Sequence, residues 1–290
     1  MDDKQIVTIL IIVQISELGL NAIGACLYAI PLCFIRHFHQ PIHFLTLNVC
    51  ICLIVCCSCW TVYLTISAFY PQILLNMKSC LPIFYLNTMV NCQVLYSLSM
   101  VSLNRLFIII YKTKGLFRTK RFVLLCIIIQ WTCGALIPLP IFASKLPICL
   151  ITTLDFNYRI YLLIIVAIIP TICLFLTNSI IFIYARSSTR RIQPIHGNDI
   201  QAPLLTNRDV RLLKHMIFMF SIFFCGWVPI YILTAVNPSS STISLVQFNI
   251  LRLLPELSTL IIILDLFIYN HELTRYLTNR LPHRLVSQTN

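Results

Sequence analysis

The chain has 290 residues, 59% of them hydrophobic and only 10% charged, with a mean hydropathy of +0.88. Soluble domains are about 45–50% apolar and about 25% charged, so this composition excludes a soluble protein and leaves no room for a separate soluble domain. The formal charge of +12 must be placed against a membrane before nucleic acid is invoked. Seven stretches read as spanning helices, at about 6–34, 44–69, 80–111, 122–142, 158–185, 212–236 and 243–269; about 20 apolar residues suffice to cross the hydrocarbon. Met1-Asp2-Asp3-Lys4 is not a basic leader, so no cleavable signal peptide is expected. Most of the 14 cysteines lie inside apolar runs, where cysteine behaves as a small hydrophobe.

The first span carries Glu17, an acid that is expensive at that depth; protonation and a hydrogen bond to a neighbouring helix would keep it there. The second contains Trp60, which either packs in the core or interface or lines a pocket. The third, the stretch the bundle is expected to be built around, opens on Cys80 and carries Arg105 25 residues later. That spacing is about 37 Å of helix, enough to put the cysteine near one membrane face and the arginine near the other. Asn87, Asn91, Gln93, Ser97, Ser99, Ser102 and Asn104 recur along it. Lipid tolerates so many polar groups only on a helix enclosed by neighbours that hydrogen-bond it.

A basic loop, 111–121, leads to the fourth span, near whose end stand Pro138 and Pro140. Cys149 lies in the following connection. It and Cys80 are either a bridge on the oxidising face or two free thiols. Residues 187–207 are polar, with Pro194, Gly197 and Pro203, and read as a mobile loop. The sixth span holds Phe223, Trp227 and Pro229; a mid-helix proline removes one backbone hydrogen bond and kinks the helix. The seventh holds Pro255, Glu256 and Asp265. Glu256 has two readings: a neutral acid bonded to Trp60, Glu17 or a backbone carbonyl, or a carboxylate that pairs with a cationic ligand group. Leu273, Tyr276, Leu277 and Leu281 give residues 271–281 the spacing of an amphipathic surface helix. No cysteine follows, so the tail, 283–290, has no palmitoylation site.

With the N-terminus outside, fifteen of the 21 basic residues fall on inner segments and five, Lys4, Lys78, Lys145, Arg159 and Arg252, on outer ones. Arg105 is the remaining one. Positive charge gathers inside, so the expected topology is N-terminus extracellular and C-terminus cytoplasmic. The inner bases would face anionic lipid and an acidic partner, which accounts for the net charge without nucleic acid.

These marks resemble the rhodopsin-like (class A) G-protein-coupled receptors along nearly the whole chain. Gly19-Leu20-Asn21 resembles the Gly-Asn of the first helix, Leu47-Asn48-Val49 the second, Gln130-Trp131 the fourth and Pro170 the fifth. Asn104-Arg105-Leu106 stands where the family has Asp-Arg-Tyr. Phe223-Phe224-Cys225-Gly226-Trp227-Val228-Pro229 resembles Phe-x-x-Cys-Trp-x-Pro, the most specific match. Asp265-Leu266-Phe267-Ile268-Tyr269 resembles Asn/Asp-Pro-x-x-Tyr. Leu53, Asn104, Asn178, Gly226 and Leu266 depart from the pattern and mark a divergent member. Leu53 replaces the sodium-binding carboxylate of the second helix.

The resemblance implies an all-α membrane protein, a seven-transmembrane bundle over residues 1–282 with a short amphipathic eighth helix, in the cell membrane. It implies a Cys80–Cys149 disulfide, a pairing widespread in the family. It implies an extracellular ligand near Trp60, Asn87, Asn91, Trp227 and Glu256, and coupling to a heterotrimeric G protein through movement of the sixth helix. Arg105, Asp209, Phe223, Trp227, Pro229, Asp265 and Tyr269 would be the switch residues. Asp209 would pair with Arg105, or serve only as an acid favoured by a helix N-terminus.

Amine receptors of the family use an aspartate where this chain has Asn87, so a biogenic amine is not expected; a peptide or a small molecule is. Thr259 stands at the retinal lysine position, which excludes a Schiff base there. No metal, triad or phosphate loop suggests an enzyme, and no cofactor is expected. A non-signalling heptahelical protein is the main alternative. A transporter, which usually shows repeats and a midplane ionic site, is a weaker one.

Overall fold

The computed structural model describes residues 3–35, 40–110, 119–143, 156–190, 207–236 and 245–269, and among these no strand occurs. The chain folds as nine α-helices in this range: α1 (Asp3–Phe34), α2 (Pro41–Phe69), α3 (Pro71–Leu75), α4 (Met77–Ile110), α5 (Lys120–Leu136), α6 (Phe156–Leu162), α7 (Ile169–Arg190), α8 (Asn207–Val236) and α9 (Leu245–Tyr269). A 3₁₀ turn, Leu139–Ala143, follows α5, and a π-helical stretch, Leu163–Ile168, joins α6 to α7.

Local chemistry sets several ends. Pro41 and Pro71 open α2 and α3, where a missing N–H costs nothing. Thr119 caps α5 by accepting from the Phe122 N–H at 3.3 Å. Pro138 and Pro140 stand where α5 has given way to the tighter turn.

Five segments are long and apolar enough to cross a membrane: Gln5–Phe34, His43–Phe69, Lys120–Ala143, Phe156–Tyr184 and Ile217–Ala235. The protein is therefore built as a multi-pass membrane protein. Large aliphatic and aromatic side chains stand exposed along these helices, among them Ile12, Leu20, Leu125, Phe175 and Ile183. Such a surface is stable against lipid, where only closed helices can satisfy the backbone. Hydroxyls on the same helices turn back on the carbonyl one turn earlier, as Thr61 does to Cys57 (2.8 Å) and Thr234 to Ile230 (2.7 Å). The two remaining long helices, α4 and α9, hold most of the buried polar residues, so their polarity is turned inward.

α1 packs on α2 and α9, α8 on α9 and α7, α7 on α4, and α4 on α2 and α5. The core runs through α2 and α4, with Leu53, Cys92, Leu95 and Phe223 fully buried. Buried amides fix the register of the helices. Asn48 donates to Gln130 (2.7 Å), and Gln130 donates to the Gln93 side chain (3.0 Å). Trp131 Nε1–H donates to Asn48 (2.9 Å), and Gln93 donates to the Trp131 carbonyl (3.0 Å). One network thus ties α2, α4 and α5. From α1, Gln14 and Asn21 donate to the backbone carbonyls of Asn249 (2.9 Å) and Glu256 (3.0 Å) on α9.

Close helix approach explains one sequence departure. A Cβ at Gly226 would fall on the Ser258 side chain and 3.0 Å from the Leu254 carbonyl oxygen. α8 therefore lies so near α9 that a cysteine would not fit without separating them. Gly226→Ala is expected to destabilise the fold by about 1–3 kcal/mol, the usual cost of overpacking. The thermal midpoint of the purified protein in lipid measures it, and an unchanged midpoint would mean that the helices part freely.

Most expected helices begin and end within a few residues of the spans read from sequence. α8 starts at Asn207, five residues before the expected 212, and α7 runs on to Arg190 instead of ending at 185. The polar loop expected over 187–207 is thus helical at its two ends. Hydropathy fell off there, but a polar helix can extend beyond the bilayer. The π-helical stretch was not expected. The amphipathic segment 271–281 and the tail lie outside the described residues.

Candidate functional site

Among the described residues, cavities lie near both ends of α4 inside the bundle. The larger, about 130 Å³, sits between the first half of α4, the last half of α8 and the first half of α9, with α2 and α6 closing it. All five residues expected at a ligand pocket, Trp60, Asn87, Asn91, Trp227 and Glu256, line it. Leu53 and Thr259 do too. A single water needs about 10–15 Å³ by this measure, so the space takes a group of several heavy atoms.

Its polar groups are few and specifically placed. Trp60 Nε1–H donates to Asn91 Oδ1 at 2.7 Å, joining α2 to α4. Of the partners considered for Glu256, Trp60 is thus engaged elsewhere. Glu17 is half-buried on α1 and does not line the cavity. Glu256 is buried, and its Oε2 has no hydrogen-bond partner.

Two arginines complete the wall, and the sequence reading had placed both on outer segments. Arg159, on α6, is only 5% exposed, and its Nη1 donates to the Thr234 carbonyl at 3.3 Å. Arg252, on α9, lies with its guanidinium carbon 4.3 Å from the Trp60 ring centre and 5.3 Å from that of Tyr63. Stacking on aromatic faces holds a guanidinium through the ring quadrupole. Its Nη2 is buried without a hydrogen-bond partner. Both arginines belong to the helical bundle, where their charge meets the cavity. The missed signal was spacing: Arg252 stands four residues before Glu256 and so shares its helix face.

The second cavity, about 50 Å³, lies near the opposite end of α4. Arg105, Ser102, Phe220, Phe223 and Leu266 line it. Arg105 is half-buried, and its Nε has no hydrogen-bond partner. Phe223 and Trp227 stack between the two cavities, 6.4 Å apart and 19° from parallel. Trp227 faces the first cavity and Phe223 the second. Pro229 sits half a turn past Trp227, inside an unbroken α8. Asp265 is buried on α9. Asp209 falls in the first turn of α8 and Tyr269 ends α9, but both side chains lie outside the described residues.

Cys80 is buried at the start of α4 and is not one of the free thiols. Cys149 lies outside the described residues. Among the described residues no cluster of three potential metal ligands occurs. Comparison with protein-family models and with curated proteins finds no match to the chain.

Proposed function

We propose that the chain is a signalling receptor of the rhodopsin-like type, a bundle of seven spanning helices with an amphipathic eighth at 271–281. An extracellular ligand, a peptide or a small molecule and not a biogenic amine, occupies the larger cavity. A heterotrimeric G protein engages the end of the bundle that carries Arg105. The observation that carries this reading is the Phe223–Trp227 stack on α8, with one ring on each cavity. A ligand that moves Trp227 moves Phe223 beside Arg105, and Pro229 supplies the weakened backbone at which α8 can swing. Coupling of this kind needs two distinct sites and an element that both can bias. The N-terminus is extracellular and the C-terminus cytoplasmic, a reading the distribution of basic residues supports. Cys80 and Cys149 form a disulfide; its loss lowers surface expression, and a non-reducing peptide map in which both thiols alkylate would refute it.

Arg105 and Asp209 restrain the resting state as a shielded ion pair. Breaking such a pair costs a few kcal/mol, which is enough to shift a two-state population. Asp209→Ala is expected to raise basal G-protein signalling severalfold in cells at matched surface expression. A screen of secreted peptides and small metabolites on the same cells would then find the agonist. Unchanged basal signalling together with an empty screen would favour the non-signalling reading.

A further inference from the structure

We infer that the larger cavity is built for a zwitterion, with a planar carboxylate at Arg252 and a cationic nitrogen at Glu256. The inference takes the cavity as a ligand site and in that respect rests on the receptor reading. It begins from a base and an acid on one helix face whose buried polar atoms do not hydrogen-bond each other. Arg252 and Glu256 stand one turn apart on α9, where Cβ atoms are about 5–6 Å from each other. The Arg252 guanidinium is instead drawn onto the rings of Trp60 and Tyr63 on α2. The result is a buried Nη2 and a buried Oε2, each without a hydrogen-bond partner, on the same wall. Within a membrane protein such atoms are costly unless something satisfies them.

Donor geometry also sets what Arg252 can bind. A guanidinium carries its N–H donors in one plane, and the edge of Arg252 that carries Nη2 has no hydrogen-bond partner within the bundle. That edge fits the two oxygens of a carboxylate side by side. Arg159 contributes a second positive charge to the wall. A ligand that is only cationic would leave the buried Arg252 Nη2 without a partner, and a carboxylate supplies one. The volume, about 130 Å³, admits a head group and not merely an ion. The remaining walls, among them Leu53, Phe84 and Trp227, are apolar and suit a hydrocarbon or aromatic side chain. A free amino acid and the C-terminal end of a peptide with a basic last residue share this chemistry.

The test uses the full-length chain in lipid nanodiscs, with its thermal midpoint followed by tryptophan fluorescence. The probes are the common L-amino acids, their methyl esters and their N-acetyl derivatives. Tripeptides ending in Lys or Arg, free or amidated, separate a peptide end from a free amino acid. At least one zwitterion is expected to raise the midpoint at a concentration at least about tenfold lower than either blocked form. Arg252→Gln should abolish the preference for a free carboxylate and keep the preference for a free cation. Glu256→Gln should do the reverse. Arg252→Lys keeps the charge without the fork, and serves where Arg252→Gln fails to fold; it should retain only part of the carboxylate preference. Equal response to free and blocked probes, no response to any of them, or a carboxylate preference that survives Arg252→Gln overturns the inference. The latter outcomes include Arg252 swinging onto Glu256 as an internal pair. Binding without G-protein activation would sink the receptor reading and leave this inference standing. Activation by an agonist that lacks a carboxylate would sink this inference alone.

Discussion

Glu256→Gln is expected to weaken a cationic agonist by about 2–5 kcal/mol, the cost of stranding one partner of a buried charge pair. The substitution keeps the shape of the side chain and removes its charge. Glu256 is buried on the cavity wall, and its Oε2 has no hydrogen-bond partner. Its backbone carbonyl, which holds α1 through Asn21 at 3.0 Å, is untouched by the change, and the fold should survive. Competition binding with a charged agonist and its neutral analogue separates the roles. The neutral analogue should bind variant and wild type alike. Equal losses for both would make Glu256 a structural residue.

Gln130→Leu should cost about 2–4 kcal/mol of stability, because it orphans two buried groups at about 1–2 kcal/mol each. Gln130 accepts from Asn48 and donates to Gln93 at the junction of α2, α4 and α5, and leucine does neither. Single interhelical hydrogen bonds in membranes average only about 0.6 kcal/mol, since the unfolded chain also finds partners there. A loss at the upper end would therefore show that the network acts cooperatively. Unfolding in mixed micelles measures the difference. A loss below about 0.5 kcal/mol would mean that the amides find other partners with ease.

The five apolar spans were legible in sequence because apolar length decides such helices in a membrane. The inward side of α4 was legible as well, since Asn87, Asn91, Gln93 and Asn104 could not face lipid. What sequence could not supply was distance. Gly226 looked like a departure without a cause until the Ser258 side chain was found against it. Asn48, Gln130 and Trp131 were visible as separate marks, but nothing in the chain shows that they meet.

The arginines of the cavity lie deeper in the bundle than outer-segment charges, for a physical reason. A base near the end of a span usually snorkels to the membrane surface, so Arg159 and Arg252 were counted as outer charges. The rings of Trp60 and Tyr63 reverse that for Arg252, because stacking replaces part of its hydration. Tyr63 follows Trp60 by three residues and so stands on the same face. An aromatic pair at that spacing was the available signal.

The central claim, that this chain is a G-protein-coupled receptor, is tested most directly by nucleotide exchange on a purified heterotrimeric G protein. The full-length chain in nanodiscs is mixed with each G-protein class in turn, and uptake of a non-hydrolysable GTP analogue is followed. The account predicts that Asp209→Ala accelerates exchange on at least one class severalfold over empty nanodiscs, and that adding Arg105→Ala to it abolishes the acceleration. Exchange no faster than with empty nanodiscs for every class, or acceleration indifferent to Arg105, would contradict it.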